Sequence, residues 1–174
     1  MPTSTLTPTQ PLTSLAIAPT QVIRCSFLAA GEQLKRFGTK GLVIGGKQTL
    51  KLMEKPLKQL EKSQGFTWAI ADYLPDCTES SLSRLRERVA TENCDFILGI
   101  GGGKALDTAK LIAHQTHQTI ITLPTSAATC AGWTGLSNVY SDDGAFQYDV
   151  TLDRCPDLLI VDYDLIQQAP QRLF

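Results

Sequence analysis

Residues 95–110, Asp-Phe-Ile-Leu-Gly-Ile-Gly-Gly-Gly-Lys-Ala-Leu-Asp-Thr-Ala-Lys, bring three consecutive glycines, Gly101, Gly102 and Gly103, up against Lys104 and Asp107. Glycine has no Cβ, so such a turn can expose bare main chain to a ligand. A helix starting behind it aims unpaired N–H groups and the positive end of its dipole at an anion. Lys104 adds a point charge. The chemistry expected here is binding of a nucleotide or another phosphorylated ligand; the alternative is a tight strand-to-helix turn that holds nothing. A P-loop, G-x-x-x-x-G-K-[ST], would require glycine at 98 and Ser or Thr at 105, where Leu98 and Ala105 stand, so an ATPase or GTPase is a poor reading. The ordinary dinucleotide fingerprint fails as well. Starting from Gly99-Ile-Gly101 it needs glycine where Lys104 stands, and no acidic residue closes the next strand about 20 residues on.

The elements that must position this turn read as an α/β alternation beyond a tail. Residues 1–20 contain no charged side chain and are crowded with Thr and Pro, which fits a loose tail. A transit peptide is the rival reading, but such peptides are arginine-rich and the first arginine is Arg24. One domain is expected over residues 21–174. Its strands are expected at 21–24, 41–44, 67–71, 95–100, 119–123, 135–140, 146–151 and 158–161, several of them apolar throughout, as buried parallel strands are. Helices are expected at 29–37, 50–62, 80–93 and 104–114, flanking the sheet. In the third, Leu82, Leu85 and Val89 form an apolar stripe while Arg84, Glu87, Arg88 and Glu92 face out. Pro56 falls inside the second, which therefore kinks or begins later than drawn. Strands 135–140 and 146–151, joined through Ser141-Asp142-Asp143-Gly144, read as a β-hairpin sitting on the otherwise parallel sheet, because an Asp-Gly turn accepts positive φ.

Composition excludes several classes of partner. A net charge of −1 gives no electrostatic case for nucleic acid or an anionic membrane surface. No apolar run approaches the roughly 18 residues of a membrane span, and the N-terminus has neither a basic segment nor an apolar core of a signal peptide. The five cysteines are odd in number and widely spaced, without a Cys-x-x-Cys pair, which argues against a disulfide framework and a zinc knuckle and fits a cytoplasmic location. His114 and His117 form His-x-x-His at a helix end. Metal-binding pairs on one helical face are commonly i, i+4, so these read better as imidazoles favoured by the helix dipole.

The glycine turn resembles the GGGK/S-x-x-D-x-A-K signature of the iron-containing alcohol dehydrogenase and glycerol dehydrogenase family, relatives of dehydroquinate synthase. The resemblance continues through Leu123-Pro124-Thr125-Ser126-Ala127-Ala128-Thr129-Cys130, Leu136-Ser137-Asn138-Val139-Tyr140 and Pro156-Asp157-Leu158-Leu159-Ile160-Val161-Asp162, in the family's order and spacing. It implies a Rossmann-like, mostly parallel sheet flanked by helices, with the added hairpin. It also implies NAD or NADP as cofactor, and a helical metal-binding domain, holding Fe or Zn, that would follow residue 174 in a full-length parent. By the same resemblance Gly46, Gly101, Gly102, Gly103, Lys104, Asp107, Thr125, Ala128, Leu136 and Tyr140 are cofactor-binding positions. No catalytic or metal-ligating residue falls within this chain, which alone is expected to bind cofactor without turnover. Read without the family, Asp107 is an acid in a first helical turn, and Thr125, Leu136 and Tyr140 are a turn threonine, a core leucine and a strand tyrosine.

Two departures from the glycerol dehydrogenase pattern bear on specificity. Cys130 stands where that subgroup has an aspartate touching the polyol. A thiol cannot replace a two-oxygen acceptor, and Trp133 nearby suggests a larger or more apolar alcohol; both residues read as substrate-pocket lining. At Gly45-Gly46-Lys47, NAD-selective relatives place an aspartate against the ribose. Its absence removes a charge that would repel a 2′-phosphate and leaves NADP open. The rival readings are a dehydroquinate-synthase-like or glycerol-1-phosphate dehydrogenase-like protein, against which residues 126–133 offer no Lys or Arg, and a non-catalytic nucleotide-binding or assembly module. A homo-oligomer is compatible with all of these.

Overall fold

The computed structural model describes residues 18–74 and 76–169. The expected tail at 1–20 lies almost wholly outside them, as do Arg172, Leu173 and Phe174. Six strands form one parallel sheet: β1 (Val22–Arg24), β2 (Lys40–Gly45), β3 (Thr67–Asp72), β4 (Phe96–Gly101), β5 (Thr119–Pro124) and β8 (Leu158–Val161), in the order β1-β8-β5-β4-β2-β3. The central strands are apolar on both faces because both faces are covered. On one side Leu42, Ile44 and Ile97 pack against Leu82, Leu85 and Val89 of α3 (Glu79–Glu92) and Ala109 and Ile112 of α4 (Gly103–Thr116). On the other, Val43, Leu98 and Ile121 pack against Met53, Leu57 and Leu60 of α2 (Lys47–Gln64). At the edge, Val22 pairs with Leu159 and Arg24 with Val161, joining the two ends of the described chain.

Several expected elements take a different form. α2 begins at Lys47 and runs through Pro56 to Gln64, longer than the expected 50–62 and without a later start. Proline cannot donate to the carbonyl four residues back; that carbonyl belongs to Leu52, which is exposed as a residue. The expected helix at 29–37 is one α-helical turn, α1 (Gly31–Leu34), between two 3-10 turns. A short helix, α5 (Tyr163–Gln167), capped by Asp162 accepting from the Leu165 N–H, was not expected.

The hairpin forms as expected from β6 (Leu136–Tyr140) and β7 (Phe146–Thr151), with Gly144 at φ 87° in the turn. It is nevertheless a separate two-stranded sheet and joins no strand of the parallel one. Its inner strand packs against α4 instead. His114 lies in the last turn of α4 with Nδ1 3.5 Å from Asp153, and His117 is the left-handed residue that ends the helix.

Candidate functional site

The sheet's connections diverge between β2 and β4. The chain leaves β2 through α2 toward β3, and leaves β4 through α4 toward β5 on the opposite side and the opposite face. Such a switch point opens a crevice at the carboxyl ends of the strands, where open α/β sheets receive ligands. Here β2 ends at Gly45 and β4 at Gly101, and the Thr125 N–H donates to the Gly101 carbonyl at 3.0 Å, which brings the end of β5 alongside.

Both helices that start at this crevice begin on glycine. Gly46 is the N-cap of α2 and Gly102 the N-cap of α4, and neither helix has a side-chain cap. By contrast α3 is capped by the Thr78 side chain and α5 by that of Asp162, while the single turn α1 follows Ala30 without a side-chain cap. The first-turn N–H groups at the crevice therefore stay available to an anion. Gly101 has φ 145°, a conformation that only glycine adopts without strain, and a Cβ there would meet Ala105 at 2.9 Å. Gly102 has ordinary extended dihedrals, and no atom lies within 4 Å of where its Cβ would be. Its own fold does not require glycine; open space lies over its backbone.

Lys104 projects from the first turn of α4. It is ion-paired to Asp76, a carboxylate only 6% exposed that also accepts from the Cys77 N–H. Its Nζ lies 4.9 Å from the centre of the Tyr140 ring, and the Asp76 hydrogen bond holds the ammonium above its ordinary pKa. Tyr73 lies beside Gly46, in ordinary contact with where a Cβ would be. Burial, reinforced by Asp76, pushes its phenol up.

Asp107 is not at the mouth with Lys104. It is 7% exposed, and its oxygens are engaged by the Lys110 ammonium at 3.0 Å and the Asn138 N–H at 3.4 Å. Burial pushes its carboxyl up and the Lys110 ammonium down, each opposed by the other's charge. The loop from Thr125 to Gly135 runs from β5 to the hairpin. Within it Thr129 Oγ1 lies 3.0 Å from where a Gly103 Cβ would be, and Ala128 and Cys130 are exposed. Trp133 is 44% exposed in the turn closed by its N–H to the Cys130 carbonyl.

The structure thus gathers Gly46, Gly101, Gly102, Gly103, Lys104 and Thr125 at one crevice. Tyr140 is brought in against Lys104, and Leu136 and Asp107 are linked to the site through Lys110. Sequence reasoning missed Asp76 and Tyr73, and gave Lys110 no role although it is the closing residue of the signature. Nothing local marks Asp76 as the partner of a lysine 28 residues away. Lys110 did leave a signal: it follows Asp107 at helical spacing inside a stretch, Ala105 to Ala113, that is otherwise nearly all apolar.

A sequence profile of the family described as iron-containing alcohol dehydrogenase matches residues 19–163. An uncharacterized oxidoreductase of Synechocystis sp. is 66% identical over 165 residues, which make up 95% of this chain and 43% of that protein. A glycerol dehydrogenase of Escherichia coli is 38% identical over 143 residues, 82% of this chain and 39% of the relative. The solved glycerol dehydrogenase of Schizosaccharomyces pombe superposes with a TM-score of 0.81 at 26% identity, covering 92% of this chain and 41% of that one. The chain spans about two fifths of the length of the curated relatives it matches.

Proposed function

This chain belongs to the iron-containing alcohol dehydrogenase family, and from that membership we propose that it is the nucleotide-binding part of a metal-dependent, NAD(P)-linked alcohol or polyol dehydrogenase. The observation that carries the reading is the pair of uncapped glycine N-termini, Gly46 and Gly102, at the ends of adjacent strands, with open space over Gly102. The backbone of residues 101–103 and the Lys104 charge hold the pyrophosphate. Thr125, Ala128, Leu136 and Tyr140 line the nicotinamide side, and Cys130 and Trp133 the substrate side. A bound nicotinamide supplies the hydride acceptor; the chain's own groups bind and orient it.

Among the described residues no three His, Cys, Asp or Glu side chains come together as a metal would require. On this reading the divalent ion is held by residues that this chain does not carry, and the 174-residue chain alone gives no alcohol-dependent NAD(P)H. Cys130 and Trp133 favour an alcohol less polar than glycerol. Lys47, exposed at the first position of α2, leaves the ribose end open to a 2′-phosphate.

Calorimetric titration of NAD and of NADP into the purified chain, with circular dichroism to establish folding, tests the assignment. Saturable binding of at least one is expected, and the preferred cofactor reports what Gly46 and Lys47 select. A folded chain that binds neither removes the assignment.

A further inference from the structure

The inner edge of the hairpin is completed by partners that are not a strand. Along β6 the residues Leu136, Asn138 and Tyr140 present backbone groups away from β7, and each is met by a different group. The Leu136 carbonyl accepts from Lys110 Nζ, the Asn138 N–H donates to Asp107 Oδ2, and the Tyr140 N–H donates to the Cys77 carbonyl at 2.8 Å. Lys110, 1% exposed, also donates to the Thr134 carbonyl at 3.1 Å and to Thr134 Oγ1 at 3.2 Å. An ammonium has three donors and no acceptor, so it fits carbonyls at 134 and 136; a carboxylate only accepts, so it fits the N–H at 138. The order of donor and acceptor on α4 therefore reads the register of the hairpin.

We propose that Asp107 and Lys110 are positioning residues. As a buried pair on α4 they lock the 134–138 segment, and through it they set Leu136 and Tyr140 against the glycine turn. This rests on the dinucleotide reading of the site. A buried ion pair is a weak source of stability, since apolar side chains of similar volume often replace one at no loss; its best-attested use is to fix register. Asp107 sits about one helical turn and Lys110 nearly two behind Lys104, on the helix that begins at Gly103, so one element carries both the pyrophosphate cradle and the clamp on the nicotinamide side. The clamp acts chiefly on the nicotinamide half, because Gly101 is held by β4 and the Lys104 ammonium by Asp76, while the hairpin meets Lys104 through the face of the Tyr140 ring.

The test is the apolar pair D107L/K110M in the 174-residue chain, compared with wild type by three readouts. The first is native-state amide exchange at Asn138. The second is the ¹⁹F signal of 5-fluorotryptophan at Trp133, assigned with W68F. The third is the affinity for NAD against that for ADP-ribose, which lacks the nicotinamide. The variant is expected to fold and to melt above Lys110→Met alone, since no charge is stranded, while Asn138 exchanges about tenfold faster or more. The Trp133 signal is expected to shift or broaden. NAD affinity is expected to fall about tenfold with ADP-ribose affinity nearly unchanged. A folded variant that keeps wild-type Asn138 exchange and an unchanged Trp133 signal overturns the proposal, as does equal loss of both ligands. Free exchange of the Asn138 amide in wild type overturns it without any variant. If wild type binds neither ligand, the function assignment fails, while the exchange and fluorine readouts still decide the clamp.

Discussion

Gly102→Ala is expected to leave the chain folded and to reduce its affinity for NAD or NADP by about tenfold or more. The two consequences separate because this glycine is not there for its own fold. Its dihedrals, φ −82° and ψ −172°, suit any residue, and a Cβ would meet no atom within 4 Å. Alanine is a poorer N-cap than glycine, but it also lowers the entropy of the unfolded chain, and each effect is worth roughly 1 kcal/mol or less, so they nearly offset. What the methyl group occupies is the space over the first-turn N–H groups, where a phosphate must come within hydrogen-bond distance. Gly101→Ala is the contrasting case. At φ 145°, with Ala105 2.9 Å from the new methyl, it strains the backbone by about 1–3 kcal/mol before any ligand is considered. Thermal melts and calorimetry on the two variants distinguish a turn kept open for a ligand from a turn shaped by packing. Wild-type affinity in Gly102→Ala would exclude a phosphate from this backbone.

Lys110→Met alone should be among the most destabilising single substitutions in the chain. It leaves the Asp107 charge buried without its counter-ion and strips donors from the Thr134 and Leu136 carbonyls. Breaking one side of such a pair costs about 3–5 kcal/mol. For a domain of this size that lowers the melting temperature by about 10 °C. The loss should depend on pH with a definite sign. Burial already raises the Asp107 carboxyl above its ordinary value, and removing Lys110 takes away the largest opposing effect. The folded variant then binds a proton that the unfolded chain releases, so its stability falls as pH rises through the interval between the unfolded and folded values. Melts at about pH 5 and pH 8 should show the deficit relative to wild type to be smaller at the acid end. A deficit independent of pH would mean that packing, not the stranded charge, carries the cost.

Much of the fold was legible because its signals are local. The apolar runs at residues 41–44, 95–100 and 119–123 became the buried central strands, and the Leu82, Leu85 and Val89 stripe faces the core. The glycine run was legible as a strand-to-helix turn for the same reason. Helix bounds were less so. Proline was weighted as a breaker at 56, whereas the helix runs through it, the carbonyl that loses its donor belonging to the exposed Leu52, and extends three residues further toward Gly46. The expectation that the hairpin sits on the sheet failed because its inner edge is satisfied by Lys110, Asp107 and the Cys77 carbonyl, contacts that link segments 26 to 63 residues apart. No window of sequence contains both halves of those contacts. Asp107 was therefore visible as a charged residue beside a phosphate turn, but its buried partnership with the hairpin was not.

The pairing of β1 with β8 also sets an order of assembly. Val22 meets Leu159 across nearly the whole described chain, so this edge strand has no partner until residues 158–161 exist and have joined β5. During synthesis β2, β3, β4 and β5, which neighbour one another, can condense around Leu42, Ile97 and Leu98 while the first strand waits. Contacts of such long separation are slow to close and late to form. Val22 to Arg24 should accordingly be the last strand to gain protection on refolding and the first to lose it, a seam that opens before the nucleotide crevice does.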